Sequence, residues 1–332
     1  MRRPVLRVAA AAAAFFTVFS VHAQNRAADE RADAMPSMQE RPMDKTETRR
    51  RGVVDVSVAH LRENPAYEAE MGTQELLGRE VEITDEDGYW LRVVTPDGYR
   101  AWTNRMCIAE MTEAEMREYG AADKYICTAM YSSLMTEPSD ASVPVSDLVR
   151  GDILLKSGGK VRHGYVMAST ASGKIGWVKR KDVTALDRWE SETKPDGESI
   201  VKEALRYVGI PYLWGGCSVK GFDCSGLVKT VFMMNGIPLP RNASQQGLIG
   251  EAVDIGPLVE NGDCSALEKG DLLFFGNRES GRITHVGIYI GDSRMIHSSQ
   301  LTRINSLRRS DPDVYENMDR LLSARRVSGQ KD

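Results

Sequence analysis

The hydrophobic rhythm of this chain changes once, near residue 190, and that change limits the folds open to it. Before it, apolar residues alternate over short segments such as Val54-Asp55-Val56-Ser57-Val58 and Glu80-Val81-Glu82-Ile83, divided by turns at Asp87-Gly88 and Asp97-Gly98. Alternation between Asp-Gly turns is the pattern of half-buried hairpin strands, so residues 52–112 are expected to form a small β-barrel. The run from Gly88-Tyr89-Trp90 through Gly98 to Trp102 returns, with a one-residue gap, as Gly164-Tyr165 through Gly173 to Trp177. That repeat predicts a duplicated barrel over residues 123–186, with residues 113–122 as a short connecting helix. Beyond a polar linker at 187–198 the period lengthens: Ser199 is placed to cap a helix with Val201, Ala204, Leu205 and Val208 on one face, stopped by Gly209 and Pro211. A second helix is expected from Cys224 through Leu227, Val228, Val231 and Phe232 to Gly236, then strands at 271–275, 283–290 and 294–298. Helices first and an antiparallel sheet after them make residues 199–329 an α+β domain.

Residues 1–23 have another character. Arg2 and Arg3 open a basic start, Val5 to Val21 is almost wholly apolar or small, and Val21-His22-Ala23 fits a cleavage site. This is the make-up of a secretory signal peptide. No later apolar run is long enough to span a bilayer, so an exported protein without an integral membrane span is expected, periplasmic or secreted. Residues 24–51 carry charged clusters such as Arg49-Arg50-Arg51 without periodicity and read as a disordered linker. Loss of the leader takes Lys+Arg from 43 to 40 against 47 acids, moving the formal net charge from −4 to −7. A mildly acidic chain argues against nucleic acid as a partner. An exported chain with five cysteines, at 107, 127, 217, 224 and 264, leaves at least one thiol outside any internal disulfide. Cys107 and Cys127 admit either a structural bridge or two packed thiols, and Cys224 is expected to stay free.

Cys224 follows the turn Gly221-Phe222-Asp223 and opens the second helix, which sets its sulfur over unpaired backbone amides at the positive end of the helix dipole. Two of the histidines, His285 and His297, fall in consecutive predicted strands. A three-residue loop Gly291-Asp292-Ser293 would set Gly287 opposite His297 and make the imidazoles diagonal neighbours on one face, whereas a two-residue loop would separate them. A thiol is a poor nucleophile near its ordinary pKa of about 8.5, and a helix N-terminus and a nearby imidazole both lower it. The expected roles are Cys224 as nucleophile, His285 as general base and His297 as the group that orients it. A structural cysteine and a structural histidine pair are the plainer readings, and their coincidence in one domain favours catalysis. There is no His-Glu-x-x-His or compact Cys/His knuckle, and Phe222-Asp223 stands where a phosphate loop needs Lys-Ser/Thr. No metal or other cofactor is expected.

Pro211-Tyr212-x-Trp214-Gly215-Gly216, Phe222-Asp223-Cys224-Ser225-Gly226-Leu227, Leu239-Pro240-Arg241, Gly270-Asp271-Leu272, His285-Val286-Gly287-Ile288-Tyr289 and His297 occur in that order. Over residues 199–326 this set resembles the NlpC/P60 cysteine peptidases of bacterial cell walls, and the two upstream barrels resemble bacterial SH3-like modules. The resemblance implies a papain-like fold, cleavage after γ-linked D-glutamate in peptidoglycan stem peptides, and Cys224, His285 and His297 as the catalytic set. With two such modules in front, the chain resembles the branch that releases L-Ala-γ-D-Glu from murein tripeptides with a free N-terminal L-Ala, leaving L-Lys or diaminopimelate. Tyr212, Trp214, Asp223 and Ser225 match pocket positions of that branch. Glu70 matches an acid of the first barrel that holds the substrate amine. Arg241 and Ser244 match an arginine motif, with Ala243 where a hydroxyl residue is usual. Rival readings are an autolytic endopeptidase acting on intact wall, a non-catalytic wall-binding protein, and an acyltransferase or amidase on the same scaffold.

Overall fold

A computed structural model describes residues 50–327; the leader at 1–23 and residues 24–49 of the expected linker lie outside the described residues. Arg50 and Arg51, assigned to the linker from sequence, instead begin the first strand. Their guanidinium groups are paired with Glu86, Glu110 and Glu80 of neighbouring strands at 2.6–2.8 Å, which holds the strand end in the sheet.

The first sheet comprises β1 (Arg50–Val54), β2 (Val58–Arg62), β3 (Met71–Leu76), β4 (Glu80–Asp87), β5 (Trp90–Val94), β6 (Arg100–Asn104) and β7 (Ile108–Met111), in the order β3-β2-β6-β5-β4-β1-β7. Helix α1 (Glu113–Ala121) follows, begun by a capping box in which Thr112 and Glu115 satisfy each other's amides. The second sheet comprises β8 (Lys124–Cys127), β9 (Tyr131–Met135), β10 (Pro144–Val149), β11 (Ile153–Lys156), β12 (Tyr165–Ser169), β13 (Ile175–Lys179) and β14 (Val183–Ala185). Its order, β10-β9-β13-β12-β11-β8-β14, repeats that of the first strand for strand. The repeated tryptophans sit at equivalent places: Trp102 faces Arg92 and Trp177 faces Met167 in matching hairpins. Cys107 and Cys127 belong to the cores of different sheets, and all five cysteines are free thiols, so the bridge is not formed.

Part of the segment expected as linker is helical, α2 (Leu186–Glu192). Helix α3 (Gly197–Ala204) is capped by Asp196, whose carboxylate accepts the Ser199 N–H at 2.8 Å; Ser199 is therefore the recipient of the cap, not the cap itself. After a two-stranded ladder, β15 (Cys217–Ser218) with β16 (Gly221–Phe222), comes α4 (Cys224–Met233). A one-turn helix α5 (Ala243–Gln246), β17 (Glu251–Val253) and α6 (Gly256–Asn261) lead to β18 (Leu272–Gly276), β19 (Ile283–Gly291), β20 (Arg294–Ser299), β21 (Leu301–Ser306) and β22 (Leu321–Arg326). These strands form one antiparallel sheet in the order β17-β22-β18-β19-β20-β21.

Both faces of that sheet are covered. Leu272, Phe274, Val286, Ile288 and Ile296 pack with Leu227, Val228, Val231 and Phe232 of α4, while Leu273, Phe275, Met295 and Tyr315 fill the opposite face. The α4 core also takes in Leu76 and Val149, so each N-terminal sheet contributes to it. Arg150 of the second sheet and Glu203 of α3 form a buried bidentate pair at 2.5 and 2.7 Å. Among the described residues, no helix is long and apolar enough to cross a membrane.

Candidate active site

Cys224 occupies the first position of α4, and Asp223 is its N-cap, accepting the Gly226 N–H at 2.7 Å. The helix starts this close to the preceding loop because residue 226 has no side chain: a Cβ there would lie 1.9 Å from the Gly216 carbonyl oxygen. The Val286 and Ser225 backbone amides, and Tyr315, whose ring stacks on His285, all interact electrostatically with the Cys224 thiol. The side chain keeps partial exposure.

The two histidines meet by a different route from the expected one. The β19–β20 turn has only two residues, Asp292 and Ser293, both at positive φ, with Gly291 paired to Arg294. A bulge between Tyr289 and Gly291 then restores the register, so that Ile288 faces Ile296 and Gly287 lies against the His297 Cβ. Strand alternation sends Val286, Ile288 and Ile296 toward α4 and both imidazoles to the other face. There His285 Nε2 and His297 Nδ1 are 2.8 Å apart, and the Tyr315 ring stacks on His285.

Hydrogen-bond directions fix the tautomers. Asn305 Nδ2 donates to the Asp313 carbonyl at 2.8 Å, which turns its Oδ1 toward His297 Nε2 at 2.9 Å. An amide oxygen only accepts, so His297 carries its proton on Nε2 and its Nδ1 accepts from His285 Nε2. His285 Nδ1 is left with a free lone pair, the form a general base needs. Replacing Asn305 by Leu should therefore lower kcat about 10- to 100-fold with little change in KM, which steady-state kinetics will read directly.

Ionisation differs from the sequence expectation. Burial pushes the Cys224 thiol up to about 12, with the Asp223 carboxylate adding to it, and the Val286 amide and Arg241 offset this only in part. Burial holds His285 well below its ordinary range, and neighbouring His297 lowers it further. Burial also lowers His297 to about 4. Burial thus favours the neutral thiol and neutral imidazole over the ion pair before substrate binds.

Asp223 and Arg241 form the floor. Arg241 is 3% exposed; its Nη2 pairs with Asp223 Oδ2, its Nη1 donates to Ser225 at 2.8 Å, and its Nε donates to Thr73 of β3 at 2.9 Å. The guanidinium expected to touch substrate is thus spent on protein groups. Asp223 Oδ2 also accepts the Gly215 N–H at 3.0 Å. Tyr212 is held neutral by burial and is electrostatically tied to Cys224 and Asp223. Trp214 is half exposed, and Ser244 is exposed on α5. Gly215, at φ +76°, backs onto the Met71 carbonyl, where a Cβ would come within 2.3 Å. Glu70, the residue before Met71, is exposed.

Several residues that sequence reasoning missed also gather here. Tyr99, from the turn after β5, donates to Glu63 at 2.7 Å over Gly72 and is electrostatically tied to Arg241 and Asp223. Asn305, Tyr315 and Thr73 complete the set, and none lies in a motif of its own; only the Asp97-Gly98 turn before Tyr99 left a trace in the sequence.

A thiol at a helix start, on a sheet that carries a hydrogen-bonded imidazole pair, is the arrangement of a cysteine-type peptidase. Residues 209–325 match the NlpC/P60 family, and residues 61–104 match the bacterial dipeptidyl-peptidase Sh3 domain. The chain is 30% identical over 253 residues to the gamma-D-glutamyl-L-lysine dipeptidyl-peptidase of Bacillus subtilis (strain 168), covering 74% of this chain and 77% of that one. It is 26% identical over 279 residues to dipeptidyl-peptidase 6 of Lysinibacillus sphaericus, covering 82% and 97%. The fold is shared with the crystal structure of an NlpC/P60 family protein from Bacillus cereus ATCC 10987, with a TM-score of 0.70 at 24% identity, covering 84% and 100%. The chain belongs to the NlpC/P60 family and is a cysteine-type peptidase.

Proposed function

We propose that the protein hydrolyses the bond between γ-D-Glu and the L-diamino acid, Lys or diaminopimelate, of peptidoglycan stem peptides, releasing L-Ala-γ-D-Glu from fragments with a free N-terminal L-Ala. The observation that carries this reading is the contribution of the first sheet to the site: Thr73 binds Arg241 from below, and the Tyr99–Glu63 pair stands at its side. A relative acting on γ-D-glutamyl-L-lysine, aligned through both regions, supports it.

Cys224 attacks the γ-amide carbonyl as His285 Nδ1 takes its proton, so charge appears only when substrate is in place. The Cys224 amide and the neutral Tyr212 hydroxyl are the donors for the oxyanion. His285 then protonates the leaving amine, and a water activated by the same nitrogen hydrolyses the thioester. His297, held by Asn305, keeps the base in register. Trp214, Asp223 and Ser225 shape the pocket. Glu63, oriented by Tyr99, receives the substrate ammonium, with Glu70 as a second acid. The N-terminal sheets are two SH3-like modules, and the protein acts after export, in the periplasm or outside the cell, with its leader removed after Ala23.

The test compares L-Ala-γ-D-Glu-L-Lys with its N-acetylated form and with intact sacculi. The free tripeptide should be cleaved at least about 100-fold more efficiently than the acetylated one, since capping the amine removes the charge that the carboxylate pairs with and adds bulk beside it. Equal cleavage of both, or a preference for sacculi, would replace this reading with the endopeptidase one.

A further inference from the structure

Lys229 lies on the face of α4 that carries Ser225, one turn further from the helix start. Its ammonium is 2.8 Å from Asp97 Oδ2, with side chains only 13% and 8% exposed. Neither residue takes part in the chemistry above. Asp97 belongs to the first sheet, in the turn between β5 and β6. That turn is tied to itself: Thr95 N–H donates to the Tyr99 carbonyl at 3.0 Å, Gly98 N–H to the Thr95 carbonyl at 2.9 Å, Tyr99 N–H to Thr95 Oγ1 at 3.1 Å, and Thr95 Oγ1 to Asp97 Oδ1 at 2.5 Å. Its last residue is Tyr99, the donor to Glu63. A turn so cross-linked moves as a unit, so whatever holds Asp97 also sets the position of Tyr99. Burial works against the Lys229 ammonium, but Glu75, Cys217 and Asp97 together more than offset it, so the charge is kept.

Opposite charges buried across a contact between two domains lose much of their attraction to desolvation and return orientation rather than strength. We propose that the Asp97–Lys229 pair is a clamp that fixes the distance from the Tyr99–Glu63 ledge to Cys224, and thereby the preference for substrates with a free terminal amine. This rests on the dipeptidyl reading. Both are positioning residues, acting through Tyr99 and Glu63 without touching substrate.

The experiment measures kcat and KM for L-Ala-γ-D-Glu-L-Lys and its N-acetyl form with the unaltered protein, Asp97→Asn, and the double variant Asp97→Asn/Lys229→Met. The double variant leaves neither member of the pair facing the lone charge of the other, so it decides the matter if the single one does not fold; its thermal unfolding is measured alongside, because Glu75, 6% exposed, loses its nearby cation. With the clamp removed, KM for the free tripeptide should rise about tenfold and the preference for it should fall by a similar factor, while kcat stays within about twofold. Unchanged KM and preference in a folded double variant overturns the clamp. A loss of kcat with preference preserved also overturns it, because that marks a pair serving stability alone. If the unaltered protein itself shows no preference, the functional reading fails first and takes the clamp with it.

Discussion

A Cys224→Ala protein should keep its fold and lose at least about 10⁴-fold in hydrolysis rate. The size of the effect follows from how the site is built. Asp223 caps α4 through the Gly226 amide and does not depend on the sulfur, so the helix start survives the substitution. What disappears is the atom that must form the thioester. With the sulfur gone His285 has no thiol proton to take, and a water in its place is a weaker nucleophile toward an amide. Thermal unfolding within a few degrees of the unaltered protein, together with product analysis by mass spectrometry, checks both halves. Retention of hydrolysis in a folded Cys224→Ala protein would remove the thiol from the mechanism.

Arg241→Leu should destabilise the protein by about 3–5 kcal/mol, because it strands the Asp223 carboxylate without its charge partner in the interior. For a chain of this size that corresponds to a fall of roughly 10 °C in melting temperature. The substitution removes three things at once: the ion pair to Asp223, the hydrogen bond to Ser225 and the tie to Thr73 of the first sheet. Pairing it with Asp223→Asn should recover part of the loss, since no buried charge then stands alone. A single variant melting within about 2 °C of the unaltered protein would show the pair to be dispensable.

The local parts of this molecule were legible in the sequence, and the long-range parts were not. Hairpins at Asp87-Gly88 and Asp97-Gly98, the helix opening at Cys224 and the histidine strands follow from alternation, turn residues and helical spacing, which are properties of neighbours in the chain. The correct facing of Gly287 and His297 was anticipated for a three-residue loop, whereas a two-residue turn plus a bulge delivers it. The role of Asn305 depends on the Asp313 carbonyl turning its amide, and that of Tyr99 on Glu63, a residue 36 positions away in sequence. Neither partner can be read from spacing. Arg241 carried a motif signal but no sign of its direction, and burial turned it inward. The sequence shows the helix N-terminus beneath the thiol but not the burial that raises its pKa.

The bulge near Ile290 has a consequence for how this region can change over evolution. A single insertion or deletion anywhere between the two imidazoles would slide one strand past the other and carry a ring to the wrong side of the sheet. Tolerated length changes must therefore come in compensating pairs, a longer turn matched by loss of the extra residue. The interval from His285 to His297 is thus held constant by geometry, and packing further restricts Val286, Gly287, Ile288, Met295 and Ile296 within it.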